Sequence, residues 1–146
     1  LDLQLVWQTG KTNATKYANA ATTYSNVWVG AFIAEMDMAY AVADVVISRA
    51  GAMSVAEICV AAKPAVFVPY PFAAEDHQTA NAAYLVNNNA ALLVSDAQAP
   101  ATLFNTVTKL ALDTAHQQTF IKNLQPLAIT NAAEVVVTKI LEYVRA

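Results

Sequence analysis

One turn between two apolar segments carries residue types that suit anion binding. Arg49 and Gly51 follow the β-branched run 45–48, Gly51 allows a sharp turn, and a helix is predicted over 54–62. Backbone N–H groups at a helix start have no carbonyl partner, so they can bind a phosphate or a sugar hydroxyl. Three residues would present such groups here: Ala52, Met53 and Ser54.

The same turn also has a purely structural interpretation. Ser54 and Glu57 have the Ser-x-x-Glu spacing of a capping box, which satisfies a helix start without any ligand. Arg49 could pair with a phosphate or with a carboxylate such as Asp44. There is no G-x-G-x-x-G run and no P-loop, so the spacing alone leaves capping and binding open.

Two other clusters could contact a ligand. His77 and Gln78 follow Glu75 and Asp76 at a predicted helix start, and their side chains can donate and accept hydrogen bonds to hydroxyls. Asp76 is expected to be the N-cap of that helix. Since no second His or Cys stands at ligand spacing, no metal is expected.

A further cluster of aromatic and apolar residues, comprising Phe32, Ile33 and Met36, could hold a planar base or simply pack in the core. Lys11, beside the predicted turn Thr9–Gly10, is expected to be solvated rather than to bind a phosphate. Cys59 is expected to be a small buried hydrophobic residue. No nucleophile–base pair is present in the sequence, so no catalytic residue is assigned and the site is expected to hold a substrate.

Apolar runs alternate with segments of helical periodicity along the chain. The predicted strands are 3–7, 27–29, 45–48, 65–68 and 91–94. The predicted helices are 12–21, 35–43, 54–62, 77–86, 100–112, 116–124 and 131–144. This order predicts an α/β fold, a Rossmann-like parallel sheet with helices on both faces and a helical tail. Ligands of such sheets bind beyond the carboxyl ends of the strands.

Length and composition exclude several classes of protein. The 146 residues carry 8 Lys+Arg and 11 Asp+Glu, a net charge of −3, which argues against nucleic-acid binding. One domain over 1–146 is expected, with no membrane anchor, no signal peptide and no internal disulfide from a single cysteine. The start at Leu1 suggests a piece of a longer chain.

Several runs together resemble one enzyme family, the MurG N-acetylglucosaminyltransferases of peptidoglycan synthesis, which make lipid II from lipid I. The resemblance covers the chain from Leu3 to about Val94 and is carried by these runs: WQTGK at 7–11, FIAEM at 32–36, SRAGAMSVAE at 48–57, KPAVFVP at 63–69 and EDHQTAN at 75–81. It implies the donor-binding C-terminal half of a GT-B enzyme, two Rossmann-like domains with the active site in the cleft between them.

The resemblance also implies a role for each candidate residue toward UDP-N-acetylglucosamine (UDP-GlcNAc). Phe32, Ile33 and Met36 would surround the uracil, and Glu57 would accept both ribose hydroxyls. The amides of Ala52, Met53 and Ser54 would bind the diphosphate and the sugar. Arg49 would orient their loop or lie near the phosphate. His77 and Gln78 would hydrogen-bond the GlcNAc hydroxyls.

The resemblance also implies partners and a location. Lipid I would bind through the family's N-terminal domain. This sequence lacks that domain with its catalytic His, and it also lacks the family's glycine-rich Gly-Gly-Ser loop. No cofactor is implied, and the enzyme would be cytoplasmic, peripheral on the inner membrane. Phe72 stands where the family often has His. This sequence is therefore expected to be inactive alone; the alternatives are the donor half of another GT-B enzyme and a non-enzymatic interaction domain.

Overall fold

The computed structural model describes residues 2–145, and the chain forms two compact units, Leu1–Val42 and Ala43–Ala146. The predicted domain 1–146 includes Leu1 and Ala146, which lie outside the described residues. Within the described part, each predicted strand and helix has a counterpart whose ends differ by a few residues.

The first unit is a parallel strand pair with a crossover helix and a second short helix. Its elements, in chain order, are β1 (Leu5–Gln8), α1 (Ala14–Ala21), β2 (Val27–Gly30) and α2 (Met36–Val42). β1 pairs with β2, with Leu5 opposite Val27 and Gln8 opposite Gly30. Gly10 has a φ of +74°, a left-handed conformation that suits glycine and lets the chain turn after β1 as predicted.

The second unit holds three parallel strands and a series of helices. Its elements are β3 (Val46–Ser48), α3 (Ala52–Ala61), β4 (Ala65–Phe67), α4 (His77–Asn87), β5 (Leu92–Leu93), α5 (Ala99–Leu112), α6 (Thr114–Leu124) and α7 (Ala132–Arg145). Short 3₁₀ turns lie at Ala74–Asp76 and Gln125–Leu127. The parallel pairing in both units confirms the predicted α/β class.

The core of the second unit lies around its central strand. β4 runs between β3 and β5, and its residues Ala65, Val66 and Phe67 are all fully buried. Val66 packs in a buried cluster with side chains from the β5 end and from α5 and α6, namely Val94, Leu110 and Phe120. A fully buried central strand of this kind holds the strand ends, and therefore the loops that follow them, in fixed positions.

Two helices in this unit end on residues in the left-handed conformation. α3 ends at Ala62, with a φ of +50°, whose N–H donates to the carbonyls of Cys59 and Ile58. α4 is followed by Asn89, with a φ of +51°, as expected for an Asn-rich helix end. α7 differs from the other helices, because the described side chains from Ala132 to Val144 are all exposed. Among the described residues, no helix is long and apolar enough to cross a membrane.

Candidate functional site

The predicted base-binding residues lie in the first unit, just after β2. The Phe32 ring is 70% exposed, so the core-packing interpretation is wrong for this side chain. The backbone N–H of Ile33 donates to Gln8 Oε1, at the end of β1, over 2.7 Å. Met36 is the first residue of α2 and is half-buried. An exposed aromatic ring next to a backbone segment that is held by a hydrogen bond is a suitable surface for a planar ligand.

The predicted anion-binding amides lie at the start of α3 in the second unit. The helix begins at Ala52, two residues before the predicted start, and its first backbone bond runs from Val55 N–H to the Gly51 carbonyl over 3.0 Å. The amides of Ala52, Met53 and Ser54 therefore have no carbonyl within the helix.

The capping-box interpretation of Ser54 and Glu57 is wrong. The N-cap is Gly51, which has no side chain, so Ser54 lies at the third helical position and cannot be the cap. Gly51 has a φ of −65° and a ψ of 149°, extended backbone that any residue adopts, so the predicted sharp turn does not use glycine's conformational freedom. The N-cap residue of α3 thus supplies no side-chain hydrogen bond to these amides, and a helix start of this kind suits an anionic ligand.

Glu57 lies on the same face of α3 as this helix start. It follows Ser54 by three residues, which puts both side chains on one side of the helix, and its side chain is exposed. Its carboxylate has two oxygens that accept hydrogen bonds, which suits a pair of neighbouring hydroxyls.

Arg49 ties together the loops at the carboxyl ends of β3, β4 and β5. Its Nη1 donates to Asp96 Oδ1 over 2.6 Å and to the carbonyls of Val68 and Pro69, each over 3.1 Å. Its guanidinium lies 5.7 Å from the ring centre of Tyr70, a cation–π contact. The carboxylate that Arg49 pairs with is therefore Asp96, and the predicted alternative Asp44 is wrong.

Gln78 connects two of the same loops. Its Oε1 accepts the N–H of Ala50 over 3.2 Å and the N–H of Tyr70 over 3.0 Å. The Nδ2 of Asn81, one turn later on α4, donates to the Ala50 carbonyl over 3.1 Å. Ala50 is fully buried, so these amide side chains satisfy backbone groups that have lost access to water.

His77 is oriented by a backbone carbonyl. Its Nδ1 lies 2.7 Å from the Ala74 carbonyl, so Nδ1 carries the proton and Nε2 of the neutral ring is an acceptor. Before it, Glu75 and Asp76 both have left-handed backbone, with φ of +51° and +52°. Asp76 is the N-cap of α4, as predicted, but its carboxylate accepts the Thr79 hydroxyl over 2.6 Å and makes no capping bond to a backbone N–H of the helix start.

The structure adds residues that the sequence did not single out. Asp96 stands 47 residues from Arg49 and carries no motif, so no local signal identifies it. Asn81 and Gln8 lie inside runs that carry the resemblance, but their partners are backbone groups that spacing does not reveal. Among the described residues, no group of three His, Cys, Asp or Glu side chains could hold a metal ion.

Comparison with known proteins identifies the class of domain. The model of the glycosyltransferase family 28 C-terminal domain matches residues 2–138, and the chain belongs to this family. The fold agrees with this assignment. It superposes on glycosyltransferase VinC, solved in complex with dTDP, with a TM-score of 0.70 at 15% identity, over 98% of this chain and 35% of that one.

Proteins with higher sequence identity to this chain share the name of one enzyme. The chain is 41% identical to the UDP-N-acetylglucosamine–N-acetylmuramyl-(pentapeptide) pyrophosphoryl-undecaprenol N-acetylglucosamine transferase of Parabacteroides distasonis, over 98% of this chain and 39% of that protein. The enzyme of the same name from Bacteroides thetaiotaomicron is 39% identical, over 99% of this chain and 40% of that protein. The crystal structure of Acinetobacter baumannii MurG matches with a TM-score of 0.84 and 32% identity, over 96% of this chain and 43% of that one.

These matches confirm the predicted resemblance to MurG. They also set its extent, because the chain spans about two fifths of the length of the curated relatives it matches.

Proposed function

We propose that this domain binds UDP-GlcNAc as the sugar donor of a glycosyltransferase that converts lipid I to lipid II. The observation that carries the proposal is the start of α3. Three amides without helical partners and without a side-chain cap stand at the carboxyl edge of a parallel sheet, in a chain of glycosyltransferase family 28. A diphosphate is the group that such a helix start favours, because the helix dipole and the N–H groups both attract negative charge.

We propose the nucleoside contacts for each unit separately. Glu57 would accept both ribose hydroxyls with its two carboxylate oxygens. Phe32, Ile33 and Met36 would contact the uracil, with the exposed Phe32 ring supplying a flat apolar surface. The Ile33 N–H already donates to Gln8 Oε1, so the Ile33 carbonyl is the backbone group that would accept a hydrogen bond from the edge of the uracil.

The GlcNAc hydroxyls would bind His77 and Gln78 with distinct polarities. Since Nδ1 of His77 is committed to the Ala74 carbonyl, Nε2 would accept a hydroxyl hydrogen. Since Oε1 of Gln78 accepts two backbone amides, its amide nitrogen would donate to a sugar oxygen. The two side chains together would therefore recognise hydroxyls as both donors and acceptors.

The transfer itself would belong to a longer protein in which this chain is the C-terminal donor domain. A hydroxyl of lipid I would attack the anomeric carbon with inversion, a base in the remaining part of that protein would take the hydroxyl proton, and the bond from the anomeric carbon to the UDP oxygen would break. The amides at the start of α3 would stabilise the charge that develops on the leaving diphosphate. Lipid I would bind the remaining part of that protein, at the cytoplasmic face of the membrane, and no cofactor enters this scheme.

Calorimetric titration of the 146-residue chain tests the donor class. UDP-GlcNAc is expected to bind, and UDP-galactose and ADP-glucose are expected to bind at least about tenfold more weakly, the scale of one lost or misplaced hydrogen bond. Preference for another nucleotide sugar would indicate the donor half of a different enzyme. A folded chain that binds none of the three would contradict the proposal and favour an interaction domain.

Glu57→Gln tests the ribose contact. The substitution keeps the size of the side chain but removes the charge and one acceptor oxygen, so UDP-GlcNAc binding is expected to weaken by about 1–3 kcal/mol. Glu134→Gln, an exposed glutamate on α7, is the matched control and should bind like the unmodified chain. Equal affinity for Glu57→Gln and the control would exclude Glu57 from the site.

A further inference from the structure

One side chain connects three loops of the second unit. Arg49 follows β3, the Val68 and Pro69 carbonyls follow β4, and Asp96 follows β5. All three acceptors bind Nη1 of Arg49, and the bond to Asp96 is short, at 2.6 Å. Arg49 therefore links the loops that follow the three strands.

Asp96 determines where this arginine points. Asp96 Oδ1 supplies the charged acceptor beside two neutral carbonyls, and charge-assisted hydrogen bonds are the stronger and more directional ones. A guanidinium without this carboxylate would keep only weak neutral acceptors, and with half of its surface exposed it could rotate into water.

The position of Arg49 is transmitted to Gln78 through Tyr70. The Arg49 guanidinium lies over the Tyr70 ring, and the Tyr70 N–H donates to Gln78 Oε1. The same oxygen accepts the Ala50 N–H, from the residue next to Arg49. Arg49 and Gln78 thus contact the same two loops, those after β3 and β4, and we call these contacts the clamp. Ala50, in the first of these loops, leads directly into the start of α3.

We infer that Asp96 is a positioning residue of the donor site: through Arg49 it holds the loop that leads into α3 and the loop that orients Gln78, without contacting the donor. This inference rests on the proposed function for its effect on affinity, but the clamp itself exists without a ligand. Arg49 in this view acts mainly as a support for the loops, and the amides of α3 bind the diphosphate.

The ligand-free test measures amide exchange residue by residue in the 146-residue chain. Asp96→Asn is expected to raise the exchange rates of the Ala50 and Tyr70 amides by about threefold or more, because their shared acceptor is less well held. The Val68 amide, which donates to the Ser48 carbonyl within the sheet, should stay unchanged. Glu142→Gln, which removes another exposed ion pair with Lys139 at 2.7 Å, is the control and should change neither amide.

The second readout is affinity for UDP-GlcNAc. Asp96→Asn is expected to weaken binding about threefold to tenfold at an unchanged melting temperature, and Asp96→Glu should restore most of it by returning the charge. Unchanged exchange at Ala50 and Tyr70 would overturn the inference, as would an affinity loss that Asp96→Glu does not restore or that follows a general loss of stability. If the unmodified chain binds no UDP-GlcNAc, the proposed function fails, while the exchange rates still decide whether the clamp exists.

Discussion

Two side chains that we propose contact the donor also make hydrogen bonds to the backbone. Gln78 shows this most clearly, because one atom of its amide holds two loop N–H groups and the other would serve the sugar. Nδ1 of His77 is likewise engaged by the exposed Ala74 carbonyl, and its Nε2 is the atom that we propose contacts the sugar. When one polar atom of such a side chain is bonded to the backbone, the other atom is left as a donor in Gln78 and as an acceptor in His77. The hydrogen bond to the backbone therefore determines what each side chain can bind.

The single cysteine gives a prediction at this scale. Burial raises the pKa of the Cys59 thiol, and the residue is 4% exposed. A raised pKa means fewer thiolates at any given pH, so the native chain should react with a thiol reagent at about pH 8 at least about tenfold more slowly than the unfolded chain. Folding therefore favours the thiol, and stability should fall as the pH rises above the ordinary cysteine value.

A colorimetric thiol assay with and without denaturant checks this expectation. Cys59→Ser is the blank, since the chain has no other cysteine. Equal rates in the native and unfolded chains would show that Cys59 is accessible and contradict the predicted burial.

At the scale of elements, α3 is shaped by both of its ends. Its start has no side-chain cap, and its end depends on Ala62 in the left-handed conformation. An alanine there is unfavourable, because its Cβ crowds the following carbonyl oxygen, and glycine avoids this contact. The Ala62 N–H and the following Lys63 N–H, which donates to the Ile58 carbonyl, nevertheless close the helix.

Ala62→Gly is therefore expected to stabilise the chain. The relief of left-handed strain exceeds the entropy that glycine adds to the unfolded state, so the unfolding free energy should rise by about 0.5–1 kcal/mol and the melting temperature by about 1–4 °C. Ala56→Gly, at an exposed position inside the same helix, is the matched control and should lower stability by about 1 kcal/mol. A decrease for both substitutions would mean that Ala62 is not strained.

On the scale of the whole molecule, burial is distributed unequally between the two units. Among the described residues, the buried ones all lie between Ala50 and Leu124 in the second unit, and none from 2 to 42 is buried. The first unit is held by the β1–β2 ladder and by contacts such as the Trp7–Tyr17 ring pair, whose centres lie 4.5 Å apart. Since apolar burial is the main source of stability, the two units should differ in resistance to opening.

Native-state hydrogen exchange of the 146-residue chain is expected to show this difference. Amides of β1 and β2 should exchange through local opening at a lower free energy than amides of β4, which should exchange only on global unfolding. Limited proteolysis should likewise cut first within 2–42. Equal protection of the Trp7 amide, which faces β2 in the ladder, and of the Val66 amide would contradict the expectation.

Much of the fold could be predicted from the sequence because the signals involved are local. Apolar periodicity placed the helices and strands within a few residues, Gly10 marked a left-handed turn, and the Asn run at 87–89 marked the end of α4. Each of these depends on steric preferences and hydrophobic spacing over a few neighbouring residues.

The hydrogen-bond partners of the candidate site residues were decided only by the tertiary structure. Arg49 pairs with Asp96 rather than Asp44 because the ends of β3 and β5 lie on the same edge of the sheet, although the residues are 47 apart in the chain. α3 begins at Ala52, two residues before the predicted start at Ser54, and the residue that precedes the turn, Ala50, is held by Gln78 and Asn81 from a distant helix. Contacts between residues distant in sequence depend on how the strands are ordered, and that order carries no local signal along the chain.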